Sequence, residues 1–331
     1  MTFYGKCMGS CKSRRPRPEV KMLYLFLSSE HAALITLIGV VISFVLTAVL
    51  IHCLKSKLPT DIGRAYAVNA LAAKGKPRGA GIIFITCSAV LILVFLPISV
   101  ENAVYAVLLL LAMLSGFLDD ASRAPWGEYK KGFIDLLISF LTALTYVHCN
   151  GTGLKLLILN TTLTLPMWLY LLLGTVLVWV SINVTNCTDG VDGLCSTLSL
   201  ISLGGFVYAM NRLDASAFVP AVLIFAASVA AYLFYNAGPS ILLMGDAGSR
   251  AIGVFFAICA MKTGSPLLFI PICLVFIIDG GLGLIKVALL RFLKIKILVN
   301  TRTPIHDHVR KNKGWSDTHT VIRFAVLHLF I

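Results

Sequence analysis

The sequence predicts an all-α polytopic membrane protein of about ten transmembrane helices, on three observations. Residues that are 58% hydrophobic and only 13% charged expose too much apolar surface for a water-soluble core, so lipid must serve as part of the solvent. Apolar runs of roughly 20 residues recur along the chain, the length that crosses a bilayer as a helix. The period-two alternation of an outer-membrane barrel is absent, which leaves helices as the structure able to satisfy its own backbone in lipid.

A basic tail, residues 1–30, precedes a single catalytic bundle, 31–331. The tail has no small-residue cleavage site after its short apolar stretch, Met22 to Leu27, so it reads as a surface arm rather than a signal peptide. Spans are expected near 31–52, 80–97, 102–118, 132–149, 166–182, 194–210, 218–235, 249–261, 266–290 and 320–331. The eighth and tenth are short. The ninth carries Gly280, Gly281 and Gly283 around Asp279, which predicts a break or a close helix contact partway along it.

With these spans alternating in direction, the segments 53–79, 119–131, 183–193, 236–248 and 291–319 share one face. That face holds most loop cations, among them Lys55, Lys57, Arg64, Lys74, Lys76, Arg78, Arg123, Lys130 and Lys131, against Lys155, Arg212 and Lys262 on the other. The positive-inside rule makes it cytoplasmic. Ten spans put the basic tail, with Lys6, Lys12, Arg14, Arg15, Arg17 and Lys21, on the opposite side, against the same rule. The net charge of +13 has no helix-turn-helix, zinc-finger spacing or aromatic platform beside it, so nucleic acid is not an expected partner. The nine cysteines fall mostly inside spans and read as small apolar fillers.

Three acidic segments end long apolar runs on that face: Gly116 to Asp120, Asn186 to Gly193, and Met244 to Ser249. Carboxylates are costly beside lipid, and five of the chain's 15 acidic residues lie here, which marks a site. Asp119, Asp120, Asp189, Asp192 and Asp246 offer hard oxygen ligands that suit Mg2+ together with phosphate oxygens. No histidine and cysteine set with zinc spacing competes with them. The neighbouring glycines permit tight turns, and Asn183, Asn186 and Thr188 add neutral hydrogen-bonding groups suited to a nucleotide or sugar. The Gly-Asp-Ala-Gly-Ser run lacks the P-loop pattern, so ATP hydrolysis is not indicated. His306 and His308, followed by Lys311 and Lys313, form a second cluster able to hold a diphosphate.

Taken in order, these segments resemble the polyprenyl-phosphate N-acetylhexosamine-1-phosphate transferase superfamily, and most closely its phospho-N-acetylmuramoyl-pentapeptide transferase branch. The resemblance runs from about Ile51 to the C-terminus. It rests on the paired aspartates, the Asn-x-x-Asn-x-Thr-Asp-Gly-x-Asp-Gly stretch from Asn183, Tyr235-Asn236 with Met244 to Ser249, Pro304-Ile305-His306-Asp307-His308, and Lys313-Gly314-Trp315 with Val321 to Phe324. Asp307 interrupts the family's histidine run, Val309-Arg310 replaces its Phe-Glu, and Gly75 to Gly81 matches the family's glycine-rich first loop only in part.

The resemblance implies transfer of phospho-MurNAc-pentapeptide from UDP-MurNAc-pentapeptide to undecaprenyl phosphate at a bacterial cytoplasmic membrane, giving lipid I and UMP for peptidoglycan. It implies Mg2+ as cofactor, a homodimer, and inhibition by nucleoside antibiotics such as tunicamycin. Asp246 is then the principal magnesium ligand, with Asp120 and Asp192 as further metal residues, and Asp119 faces the lipid phosphate. Asp189 and Asp192 belong to the nucleotide or metal shell, Asn236 orients it, and His306 and His308 meet the diphosphate or sugar. Lys74, Lys76, Arg78, Arg123, Lys130, Asn183, Asn186, Gly190 and Leu243 complete the substrate-binding set. Two other readings stand beside it. One is a GlcNAc-1-phosphate transferase of the teichoic-acid, O-antigen or N-glycan type, which shares the aspartate segments. The other is a transporter with a cation site, which would hold its aspartates at mid-bilayer on broken helices.

Overall fold

The computed structural model describes residues 31–61, 74–97, 99–122, 124 and 126–331. The basic tail, Arg64 and Arg123 lie outside them. Eleven helices and one small hairpin make up the described part: α1 (Ala32–Leu54), α2 (Gly81–Phe95), α3 (Val100–Asp120), α4 (Glu128–Asn150), β1 (Gly153–Leu156), β2 (Thr161–Thr164), α5 (Met167–Thr188), α6 (Leu194–Arg212), α7 (Val219–Asn236), α8 (Gly245–Lys262), a bent α9 (Pro266–Ile272 and Leu274–Leu293), α10 (Ile305–Lys313) and α11 (Asp317–Phe330).

All ten expected apolar segments are helical, and the protein is an all-α polytopic membrane protein. Six helices are by themselves long and apolar enough to cross a membrane, and the bent α9 makes a seventh. The expected count of ten is not reached on that measure, for separate reasons. Helix α2 has 15 residues and α11 has 14, both short of a full crossing, and α8 carries Asp246, Arg250 and Lys262.

Helix α8 is the axis of the bundle. Every residue from Gly245 to Met261 is buried, because α3 and α5 pack on it along most of its length. Surrounded by protein rather than lipid, it can carry charge where a lipid-facing helix could not. Glycines set the closeness of these contacts. A Cβ on Gly253 would lie 2.5 Å from the Ile182 Cα of α5, and one on Gly81 would lie 2.1 Å from the Gly248 nitrogen. Helix α1 shows the same logic with hydroxyls: Ile35, Gly39, Ser43, Thr47 and Ile51, four residues apart, form its single buried stripe. Ser43 donates to the Ile224 carbonyl at 2.8 Å and meets Ser228 at 2.7 Å on α7, while Val40, Leu50 and Leu54 are partly buried beside the stripe and most other α1 residues are exposed.

The bend of 72° in α9 falls at Cys273, between Ile272 and Leu274, earlier than the glycine cluster that predicted it. Cys273 itself leaves helical geometry there, with φ of −115° and ψ of 22°. At the glycines the helix instead widens into a π turn, Ile277–Gly281, and presses against α5, where a Cβ on Gly280 would lie 2.6 Å from the Val184 carbonyl oxygen. The β1–β2 hairpin was not anticipated. It caps the end of the bundle away from the aspartates, pinned by Lys155, whose Nζ donates to the Leu213 carbonyl at 3.0 Å.

Candidate active site

The ends of α3 and α8 bring the first and third acidic segments together. Gly116, one turn before Asp120, has no side chain to separate the two helices, and a Cβ there would sit 2.3 Å from the Asp246 carbonyl carbon. Gly245 enters α8 with φ of +68°, a conformation that favours glycine, and a Cβ on it would strike Asp120 Oδ2. The Ala247 N–H donates to that same oxygen at 3.3 Å. One oxygen each of Asp119, Asp120 and Asp246 consequently lies within 4.8 Å of the others, a spacing able to hold a metal ion.

Two cations close this group. Lys131, on the first turn of α4, contacts Asp119 Oδ2 and donates to Asp246 Oδ2 at 3.2 Å. Arg78 places Nε 2.8 Å from Asp120 Oδ1 and Nη2 3.5 Å from Asp246 Oδ1, and its Nη1 donates to Asp61 Oδ2 at 3.0 Å. In these contacts four carboxylates face two cations, leaving two negative charges, the charge that a divalent ion offsets. Hard oxygen donors with that deficit fit Mg2+. The Trp126 N–H fixes the remaining Asp119 oxygen at 2.7 Å.

The second acidic segment follows α5. Asn186 Nδ2 donates to Ser249 Oγ of α8 at 3.0 Å, while Asn183 Nδ2 turns back to the Trp179 carbonyl of its own helix at 2.8 Å. Asp189 caps α5. The protein packed around it pushes its carboxyl up to about 7, with Arg78 opposing the shift and Asp246, Asp120 and Asp192 adding to it. Asp192 Oδ2 takes hydrogen bonds from Lys76 Nζ and the Ser240 N–H, both at 3.1 Å. It is not one of the three carboxylates whose oxygens lie within 4.8 Å of one another, a group that holds Asp119 beside Asp120 and Asp246. Asn236 is buried and committed on both sides: its Oδ1 accepts from Gly193 N at 2.9 Å and its Nδ2 donates to the Leu242 carbonyl at 3.0 Å. It clamps the 189–193 turn to the loop before α8.

The first loop is held by backbone on two sides. Arg78 N donates to the Pro59 carbonyl at 2.7 Å, Leu243 N to the Pro77 carbonyl at 2.8 Å, and Ala80 N to the Leu243 carbonyl at 3.0 Å. The contribution of Leu243 here is through its main chain. Lys74 is exposed beyond this clamp, and Lys130 lies over the Trp126 ring with Nζ 3.4 Å from its centre.

His306 begins α10 and is buried. Asp279 accepts from its N–H through Oδ1 and meets its Nδ1 through Oδ2, both at 2.7 Å, which leaves Nε2 facing the backbone of Gly190. A Cβ on Gly190 would come within 2.3 Å of that nitrogen. Arg310 joins the same turn, with Nε donating to Asp317 Oδ1 at 2.7 Å and Nη1 to the Gly190 carbonyl at 3.4 Å. His308 instead accepts from the Arg302 N–H at 3.3 Å, away from that turn.

Sequence reading gave no site role to Lys131, Asp61, Asp279 or the buried pair Asp135 and Arg250, in which Arg250 Nε donates to Asp135 Oδ1 at 3.1 Å. A signal for three of these was present: Lys131 and Asp135, like Asp246 and Arg250, are four residues apart and share a helix face. Asp61 carries no comparable pattern.

Residues 102–264, which hold α3 to α8 and all three acidic segments, match the family model described as glycosyl transferase family 4. The phospho-N-acetylmuramoyl-pentapeptide-transferase of Treponema pallidum (strain Nichols) is 38% identical over 290 residues, covering 82% of this chain and 80% of that protein. Its counterparts in Carboxydothermus hydrogenoformans and in the Wolbachia of Brugia malayi are each 28% identical, covering 84% and 87% of this chain and 89% and 92% of theirs. With identity this extensive spanning the aspartate group, the chain belongs to the phospho-N-acetylmuramoyl-pentapeptide-transferase family.

Proposed function

We propose that this protein transfers phospho-MurNAc-pentapeptide from its UDP carrier to undecaprenyl phosphate, releasing UMP and forming the lipid-linked precursor of peptidoglycan. The observation that carries the proposal is the group of Asp119, Asp120 and Asp246, closed by Lys131 and Arg78 and, with Asp61 paired to Arg78, short of two positive charges. It lies at helix ends, where a lipid phosphate can meet a soluble nucleotide-sugar. A mid-bilayer transporter site would be placed differently.

Asp246, Asp120 and Asp119 would hold Mg2+, which when bound supplies charge neutralisation of the diphosphate during phosphoryl transfer. Lys131, between Asp119 and Asp246, is placed to hold a phosphate oxygen of the acceptor. A phosphate monoester has a second pKa of about 6 and is largely ionised at neutral pH, so the acceptor needs little help from a base. Asp119 then orients the acceptor, Lys76 and Asp192 bound the nucleotide side, and His306 sets the Gly190 turn beneath it. The cation-rich loops around the site support a location at the cytoplasmic face of a bacterial inner membrane.

The test is UMP release by purified protein with undecaprenyl phosphate and magnesium, offering UDP-MurNAc-pentapeptide and UDP-GlcNAc in parallel, with Asp246→Asn as control. Release with the muramoyl donor alone, lost in the variant, is expected. Release with UDP-GlcNAc alone would move the protein to the GlcNAc-1-phosphate transferases.

A further inference from the structure

Arg78 reaches carboxylates from three separate segments: Asp61 before it in the chain, Asp120 on α3 and Asp246 on α8. Two of the three belong to the group that fits a metal. Its guanidinium is therefore a monovalent occupant of oxygens that a divalent cation would need. The three contacts are unequal. Those to Asp120 and Asp61 are 2.8 and 3.0 Å, whereas Nη2 stands 3.5 Å from Asp246, beyond a strong hydrogen bond. Lys131 also touches the group, but both its partners, Asp119 and Asp246, are members of it. Of these close ion pairs, the one from Arg78 to Asp61 reaches a carboxylate outside the group.

We propose that Arg78 is a resident counter-ion that competes with the divalent cation for Asp120 and Asp246, that Asp61 draws it aside when the cation binds, and that the released edge of the guanidinium then takes the donor's diphosphate. The proposal rests on the metal-dependent part of the function above. Its backbone supports the exchange: hydrogen bonds from Arg78 N to Pro59 and from Leu243 N to Pro77 fix the loop, so the side chain can swing while its Cα stays in place. A planar guanidinium binds carboxylate and phosphate with the same two-pronged geometry, which suits one group to both duties.

Asp61 is then a positioning residue with a distinctive sign. Removing Arg78 should strengthen cation binding, and removing Asp61 should weaken it, because Arg78 would lose the partner that draws it off the metal oxygens. A residue that merely supported the fold would weaken cation binding in both cases.

The test uses Mn2+ as a spectroscopically visible probe, titrated into the purified full chain without substrate and read by electron paramagnetic resonance. Arg78→Gln should bind Mn2+ about tenfold more tightly than the unaltered protein, a coupling in the usual range for linked sites. Asp61→Asn should bind more weakly. Arg78→Lys, which keeps a charge but not the fork, should fall between, and it serves if the glutamine variant fails to fold. In steady-state assays at saturating magnesium, Arg78→Gln should raise KM for the UDP donor more than it lowers kcat. Mn2+ binding by the unaltered protein with equal or weaker binding by Arg78→Gln would overturn the role of Arg78 and leave the metal reading standing. No Mn2+ binding by either would overturn both.

Discussion

Gly116→Ala tests whether the aspartate group depends on backbone contact between α3 and α8. The added methyl would lie 2.3 Å from the Asp246 carbonyl carbon and 2.4 Å from its oxygen. Non-bonded carbons settle at about 3.5–4.0 Å, so the two helices must part by about 1.2 Å at this level. The obstructing atoms are backbone, on a helix buried from Gly245 to Met261, and no side chain can rotate to absorb the displacement. Asp246 would move away from Asp119 and Asp120 by about that amount. Overpacking of this kind costs about 1–3 kcal/mol of stability, and a misplacement of about 1 Å costs about 10²-fold in rate. UMP release and thermal unfolding in detergent would be measured side by side, with Gly204→Ala as control. A Cβ on Gly204 meets nothing within 4 Å, and turnover should not change. A folded Gly116→Ala protein with unaltered turnover would refute the claim that this contact sets the site.

Lys131→Met should lower kcat about 10²- to 10³-fold, as loss of one preorganised donor to a reacting charge does, and unchanged turnover would remove Lys131 from the acceptor side. Arg250→Leu leaves the buried Asp135 carboxylate without its partner and should cost about 3–5 kcal/mol, much of it recovered in Arg250→Leu/Asp135→Leu; equal melting temperatures for the single and double variants would count against the pair. The Asp189 carboxyl is raised to about 7 in the folded protein, against about 3.9 in an unfolded chain. Folded protein thus holds this proton more tightly, so the stability it contributes is complete below about pH 4 and is lost as pH rises through about 7. Asp189→Asn should flatten thermal stability over that window, and an unchanged slope would show that Asp189 does not titrate there. Gly190→Ala should push the His306 ring off its seat, since the new Cβ would fall 2.3 Å from Nε2, and should lower turnover without removing Mn2+ binding.

Composition alone determined that this is a helical membrane protein, because apolar surface on this scale has no other solvent and helices satisfy their own backbone. The positions of the helices were legible for the same reason, being set by local runs of apolar residues. Asp119, Asp120 and Asp246 were singled out on local grounds too, since a carboxylate beside lipid is costly wherever it occurs in the chain, and the structure brings the three together. Partners were not legible. Lys131 meets Asp246 across 115 positions and Arg78 meets Asp120 across 42, and nothing local to those cations states which carboxylate they face. Nothing local to Asn236 states that its amide joins the backbone of Gly193 and Leu242, and Asp279 reads as a helix-break neighbour until His306 is seen upon it. The same limit explains Asp192. Its carboxylate suits a metal as well as that of Asp119 does, and only the packing of α3 against α8 decides that Asp119 joins the group while Lys76 and Ser240 take Asp192. Residue chemistry sets what a side chain is able to bind, and which groups it meets depends on long-range contacts made by helices whose glycines let them approach backbone to backbone.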